Sequence, residues 1–141
     1  MGPLTLPQEG PIYLDASGFI YSVERIQPYS DLLDQLWRQA QTGQFSILSS
    51  ELVVLETLVR PPREGDAVLE GLFRSLFDAA EVTLVPVPRQ LWEDAAGLRA
   101  TTGLKTPDAL HAAAAIHAQC TFLITNDCDF RRLEGLPVVL H

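Results

Sequence analysis

The chain has 141 residues, 47% hydrophobic and 20% charged, with eighteen acidic side chains against ten basic ones and a formal net charge of −8. That is the size of one domain able to bury a core without disulfides or structural metals, and it excludes a disordered, collagen-like or coiled-coil chain. Taken at face value, the acidic balance argues against nucleic acid, because phosphate binding normally needs a basic footprint.

No repeat, low-complexity tract or linker divides the sequence, so we expect a loose lead-in over residues 1–10 and a single domain over 11–141. Ile12–Leu14 is a short apolar strand ending at Asp15, followed by a turn into a helix. Ser30 opens a helix over 31–41, where Leu32, Leu33, Leu36, Trp37 and Ala40 share one face and Gly43 supplies the C-terminal cap. Phe45–Leu48 is the second strand, and Ser49 or Ser50 caps a helix that stops before Pro61-Pro62. A helix over 67–80 buries Leu69, Leu72, Phe73, Leu76 and Phe77. Strand 82–87 and a helix over 90–100 follow. Thr106-Pro107-Asp108 then starts a helix with Thr as N-cap, Pro at N1 and Asp in the first turn. That helix is Ala-rich and runs to about Gln119. Strands Thr121–Thr125 and Val138–Leu140 complete the chain.

Cys120 and Cys128 flank the run Thr121–Thr125. As a strand it holds them about 16 Å apart, beyond the roughly 7 Å between Cα atoms that a disulfide allows. Free thiols suit a reducing compartment. No apolar run approaches the length of a membrane span, and the N-terminus lacks a signal-peptide pattern, so a soluble cytoplasmic protein is expected.

About five strands, apolar along their length and alternating with helices, predict a central parallel sheet covered on both faces: an α/β fold, built as a single-domain three-layer α/β/α sandwich. Functional crevices of such folds lie at the carboxyl ends of the strands. Asp15 closes the first strand, Asp127 follows Thr125 by two residues, Asp108 opens a helix at the same edge, and Glu51 and Glu56 lie on the helix after the second strand. Any one of these acids alone serves equally as a turn former or first-turn acid. Together they converge on one rim. Like charges in a small space raise one another's pKa unless a cation offsets them, and a hard divalent ion with oxygen ligands, Mg²⁺ or Mn²⁺, does so. Such a cluster suits metal-assisted phosphodiester hydrolysis.

Four stretches carry a resemblance. Ile12-Tyr13-Leu14-Asp15-Ala16-Ser17, Ser49-Ser50-Glu51-Leu52-Val53-Val54-Leu55-Glu56, Thr106-Pro107-Asp108-Ala109-Leu110-His111 and Phe122-Leu123-Ile124-Thr125-Asn126-Asp127-Cys128-Asp129-Phe130 resemble, in order and spacing, the motifs of PIN domains. In particular they resemble the VapC-type toxins of bacterial toxin–antitoxin pairs. The resemblance implies an acidic quartet of Asp15, Glu56, Asp108 and Asp127, with Asp129 as an outer fifth. Ser17 and Thr125 would steady the carboxylates or water on the ion. It further implies a Mg²⁺- or Mn²⁺-dependent endoribonuclease, usually a homodimer, silenced by a cognate antitoxin.

Glu51 and Glu56 are five residues apart, so on a helix they differ by about 140° in facing and cannot both address one ion. The family pattern favours Glu56. His111 is expected to pack or hydrogen-bond rather than ligate, since hard cations prefer oxygen. Setting the quartet aside, the net charge of −8 becomes −4, and RNA contact falls to Arg60, Arg63, Arg131 and Arg132. An acidic rim also suits a basic protein partner. Two other readings remain open at this point: a PIN nuclease of RNA processing without an antitoxin, and a PIN-fold binding protein without turnover. Phosphoryl transfer through an aspartyl nucleophile is disfavoured, because that chemistry calls for a second Asp where this chain has Ser17.

Overall fold

The computed structural model describes residues 10–132 and 138–140. Five strands, β1 (Ile12–Leu14), β2 (Ile47–Ser50), β3 (Val82–Val85), β4 (Phe122–Thr125) and β5 (Val138–Leu140), form one sheet in the order β3-β2-β1-β4-β5. Every neighbouring pair is parallel. The central strand β1 registers Ile12 with Ile47 on one side and with Phe122 on the other.

Its three residues are fully buried, and they divide by period-two alternation between two cores. Ile12 and Leu14 face a cluster containing Phe19, Leu33, Leu36, Trp37, Val53 and Phe73. Those side chains come from α1 (Ala16–Val23), α2 (Tyr29–Gln41), α3 (Leu52–Leu58) and α5 (Ala67–Phe77). Tyr13 faces the opposite cluster, with Leu91, Ala95, Leu110 and the alanines 112–115 of α6 (Arg89–Thr102) and α7 (Thr106–His117). Helices therefore cover both faces, and the three-layer α/β/α architecture follows from central strands β1, β2 and β4 whose side chains are buried or nearly so on both sides. Cys120 and Cys128 are both free. Among the described residues no helix is long and apolar enough to cross a membrane.

Several boundaries differ from the sequence reading, each for a local reason. Strand β2 runs from Ile47 to Ser50 rather than over 45–48, because these four residues pair in register with Val82–Val85 of β3. Ser50 still accepts a hydrogen bond from the Leu52 N–H at 3.2 Å, although the capping position itself is Glu51. Pro61 and Pro62 do not merely end a helix. They sit in the first turn of α4 (Arg60–Glu64), where a missing N–H costs nothing. Helix α2 starts at Tyr29, so Ser30 lies buried inside its first turn rather than capping it. Helix α7 starts at Thr106, with Lys105 in the capping position and no side-chain cap; the Lys105 carbonyl accepts from the Ala109 N–H at 2.8 Å. Helix α5 ends at Phe77, and Leu72, expected inside, is 50% exposed. Strand β3 stops at Val85, α6 extends from Arg89 to Thr102, and α7 stops at His117. The N-terminal lead-in falls, apart from Gly10, outside the described residues.

Gly18 marks the closest helix–strand approach. A Cβ built there would lie 2.2 Å from Leu14 Cδ1 and 2.5 Å from its Cγ. Leu14 is fixed in the core, so Gly18→Ala should destabilise the fold by about 1–2 kcal/mol despite alanine's better helix propensity of roughly 1 kcal/mol. Gly71 on α5 has open space around it, and Gly71→Ala should instead stabilise by up to about 1 kcal/mol. Urea denaturation of the two variants reads both signs. Equal effects would mean that α1 has room to lift from β1.

Candidate active site

Parallel strands place their carboxyl ends on one edge, and the residues that follow them line a cleft of about 460 Å³. Asp15 follows β1, Asn126 and Asp127 follow β4, Asp108 lies in the first turn of α7, and Glu56 lies on α3. All of them line this cleft, together with Ser17, Tyr21, His111 and Cys128.

Asp15 is the most constrained of the acids, at 7% exposure. It caps α1. Its Oδ1 accepts from the Ser17 hydroxyl at 2.6 Å and from the Gly18 N–H at 3.3 Å. The Thr125 hydroxyl donates to its Oδ2 at 2.5 Å, tying β1 to β4. Thr125 Oγ1 in turn accepts from the Asp127 N–H at 3.0 Å, and Asp127 Oδ1 accepts from the Asp129 N–H at 2.9 Å. Charge-assisted bonds of this kind offset the cost of burying a carboxylate and fix its orientation.

Asp108 is held differently. Burial raises its pKa to about 6, with the nearby negative charge of Asp127, a hydrogen bond shared with that group and the charge of Asp15 adding to the rise. His111 acts in the opposite direction. Glu56 Oε1 lies 2.5 Å from His111 Nε2, and His111 Nδ1 lies 2.6 Å from the Tyr13 hydroxyl. Packing and hydrogen bonding thus account for His111, as its place on an Ala-rich helix suggests.

The remaining residues singled out from sequence stand apart. Glu51 is exposed at the start of α3 and does not line the cleft. Asp129 also lies off the cleft wall; it is 3.6 Å from Arg132 and contributes its backbone N–H to Asp127. Arg60 is ion-paired with Glu24 and sits 3.5 Å from Glu64. Arg63 is exposed on α4, and Arg132 donates to the Thr102 carbonyl at 3.3 Å. The Arg131 side chain lies outside the described part of the structure. Tyr21, Asn126 and Cys128 are cleft residues that the sequence reading did not single out. Asn126 and Cys128 could have been found by their position beside Asp127, whereas Tyr21 reaches the cleft from α1, with its hydroxyl accepting from the Asn126 amide at 3.0 Å.

The donor chemistry fits a hard cation. The quartet offers oxygen alone; Glu56 keeps Oε2 beyond its bond to His111, and the Asp15 carboxylate retains lone-pair capacity beyond its bonds to Ser17, Gly18 and Thr125. Among the described residues, the acidic, thiol and imidazole donors that approach within 4.8 Å as a set of three are Asp127, Cys128 and Asp129. Two oxygens bound to one Mg²⁺ are at most about 4.2 Å apart, and Mg²⁺ commonly keeps several waters while binding one or two carboxylates. The spacing of the quartet suits that mode better than an all-protein cage.

The raised pKa of Asp108 gives a signed expectation for the metal-free protein. A folded-state pKa above the unfolded one means that stability is fully present below about pH 4 and is lost as pH rises through about 6. Discounted for solvent on this half-exposed group, wild type should lose about 1 kcal/mol more than Asp108→Asn between pH 4 and 7. Urea denaturation across that range measures it. An equal or steeper loss in the variant would mean that Asp108 is not crowded by its neighbours.

Comparison with known proteins bears on the fold and the family. The PIN domain family matches residues 12–136. No curated protein matches the chain in sequence. Among solved structures, the chain is similar to VapBC2 from Rickettsia felis, bound to a DNA fragment from its promoter, at 16% identity and a TM-score of 0.71, covering 92% of this chain and 97% of that one. It is also similar to VapC20 of Mycobacterium tuberculosis, a sarcin–ricin loop cleaving toxin, at 17% identity and a TM-score of 0.71, covering 85% and 92%. A toxin–antitoxin complex from Klebsiella pneumoniae aligns at 22% identity and a TM-score of 0.62, covering 91% and 95%. At these identities the likeness is one of fold, and the family match over nearly the whole chain carries the assignment: the chain belongs to the PIN domain family.

Proposed function

We propose that this protein is a Mg²⁺- or Mn²⁺-dependent endoribonuclease, acting as the toxin of a toxin–antitoxin pair. The observation that carries the reading is the hydrogen-bonded Asp15 carboxylate, which shares one cleft with Asp108, Asp127 and Glu56 at the carboxyl edge of a parallel sheet. Nothing in the capping of α1 calls for three other acids nearby. A divalent ion held by Asp15, Asp108 and Asp127, with Glu56 beside them, would offset their charge and polarise the attacked phosphodiester and the attacking water. Asp15 supplies a fixed anchor, because Ser17, Gly18 and Thr125 restrict its carboxylate to one orientation. Asp127 is placed by the same threonine and by the Asp129 N–H.

RNA as substrate is supported by the likeness to VapC20, a toxin that cleaves the sarcin–ricin loop, and an antitoxin partner by the likeness to the VapBC2 and Klebsiella complexes. The described residues lining the acidic cleft include no Lys or Arg, which favours an antitoxin segment bearing those residues. A homodimer would fit the family pattern. Of the four arginines proposed for RNA contact, Arg63 is exposed while Arg60 and Arg132 are engaged elsewhere on the protein, so we place Arg63 first.

Purified protein should cut single-stranded or looped RNA with Mg²⁺ or Mn²⁺ and stop on addition of EDTA. Asp15→Asn, Asp108→Asn and Asp127→Asn should each lower the rate by about 100-fold or more, equivalent to about 2.7 kcal/mol of transition-state stabilisation. Glu51→Gln should be far milder than Glu56→Gln. Asp15→Asn protein that cleaves as fast as wild type would overturn the assignment.

Expression in a bacterial host should slow growth, and co-expression of the cognate basic partner should restore it. Growth unaffected by an active enzyme would favour RNA processing without an antitoxin.

A further inference from the structure

Tyr13, His111 and Glu56 form a chain of side chains running from the buried middle of the sheet to the cleft. Tyr13 on β1 is fully buried, His111 on α7 is 2% exposed, and the Glu56 side chain on α3 is 25% exposed. Its two links, at 2.6 Å and 2.5 Å, join residues 98 and 55 positions apart in sequence. The Tyr13 and His111 rings also meet edge to face, with centroids 5.6 Å apart.

The direction of the chain follows from its acceptors. A carboxylate oxygen only accepts, so the His111 Nε2–H donates to Glu56, while the other ring nitrogen, Nδ1, meets the Tyr13 hydroxyl at 2.6 Å. Folding alone does not call for this arrangement. Apolar side chains of the same shape would serve the core as well, because buried polar groups add little net stability once paired and cost about 1–3 kcal/mol when unpaired. What the chain does accomplish is local: it engages one oxygen of Glu56 and leaves the other unengaged by His111.

We propose that Tyr13 and His111 are positioning residues of the cleft, holding Glu56 by Oε1 so that its second oxygen is available to a divalent cation. This rests on the metal-site reading above and goes beyond it by assigning a role to two residues that bind neither ion nor RNA. Hydrogen bonds behind a ligating carboxylate fix its orientation and raise affinity for the metal.

The test is Mn²⁺ binding to the purified metal-free protein by calorimetry, with folding of every variant checked by circular dichroism. His111→Leu should weaken binding by about 10-fold or more. His111→Gln, whose amide can still donate to Glu56, should recover most of that loss. Tyr13→Phe, the mildest change, should weaken binding by about threefold or more and keeps the proposal testable if His111→Leu does not fold. Because both routes act through one carboxylate, the His111→Leu/Glu56→Gln double variant should bind no more weakly than Glu56→Gln alone. Wild-type affinity in Tyr13→Phe, a His111→Gln variant that binds no more tightly than His111→Leu, or multiplicative losses in the double variant would overturn the positioning role. Asp15→Asn included in the series separates the two levels: if it binds Mn²⁺ as tightly as wild type, the metal site itself fails and the positioning role falls with it.

Discussion

The Asp15 carboxylate stands where three structural demands meet. It ends the central strand β1, it caps the helix α1 that covers one face of the sheet, and it receives the Thr125 hydroxyl from the neighbouring strand β4. A carboxylate at 7% exposure is costly unless it is fully hydrogen-bonded, and these bonds offset that cost. Helix α1 can approach closely because residue 18 is glycine, so the backbone N–H that caps onto Asp15 and the space beneath it have a common origin. Moving Asp15 would therefore disturb the helix, the strand pair and the cleft together.

Crowding of charge follows from that anchor. With Asp15 held, Asp127 is directed by Thr125 and the Asp129 N–H toward Asp108, whose pKa rises to about 6. A fold selected for stability alone gains nothing from this, since the repulsion grows as pH rises toward neutrality. Elsewhere the acids are treated conventionally: Asp34 is held below the usual carboxylate range by Arg25, and Asp66 caps α5 by accepting from Leu69 N–H. The contrast within one chain marks the cleft as the place where negative charge is crowded at a cost in stability, as candidate functional sites do. A second groove of about 430 Å³, between α1, α2 and α5, has similar size but is mostly apolar, and Arg25 and Asp34 on its wall satisfy each other.

Much of this is legible in the amino-acid sequence. Strands such as Ile12–Leu14 and Phe122–Thr125 are apolar on both faces, which only a covered parallel sheet explains, and each runs into an acid at the same edge. Distant pairing decides the rest. Ser49 and Ser50 extend β2 because β3 lies opposite them, and nothing in their own chemistry says so. Thr106 resembles an N-cap but is the first helical residue, with the preceding Lys105 carbonyl taking up the helix. Arg60 pairs with Glu24, thirty-six residues away, and so is engaged on the protein itself. His111 is recognisable as a packed or hydrogen-bonding residue, but its partners on β1 and α3 become visible only when the sheet and two helices are assembled.

The most direct measurement of the central claim is anomalous diffraction at the manganese edge from crystals of the protein grown with Mn²⁺. The account predicts a peak in the cleft bounded by Asp15, Asp108 and Asp127, with Glu56 beside it. A peak confined to the outer Asp127–Cys128–Asp129 group, or no peak from crystals of protein that still cleaves RNA, would contradict it.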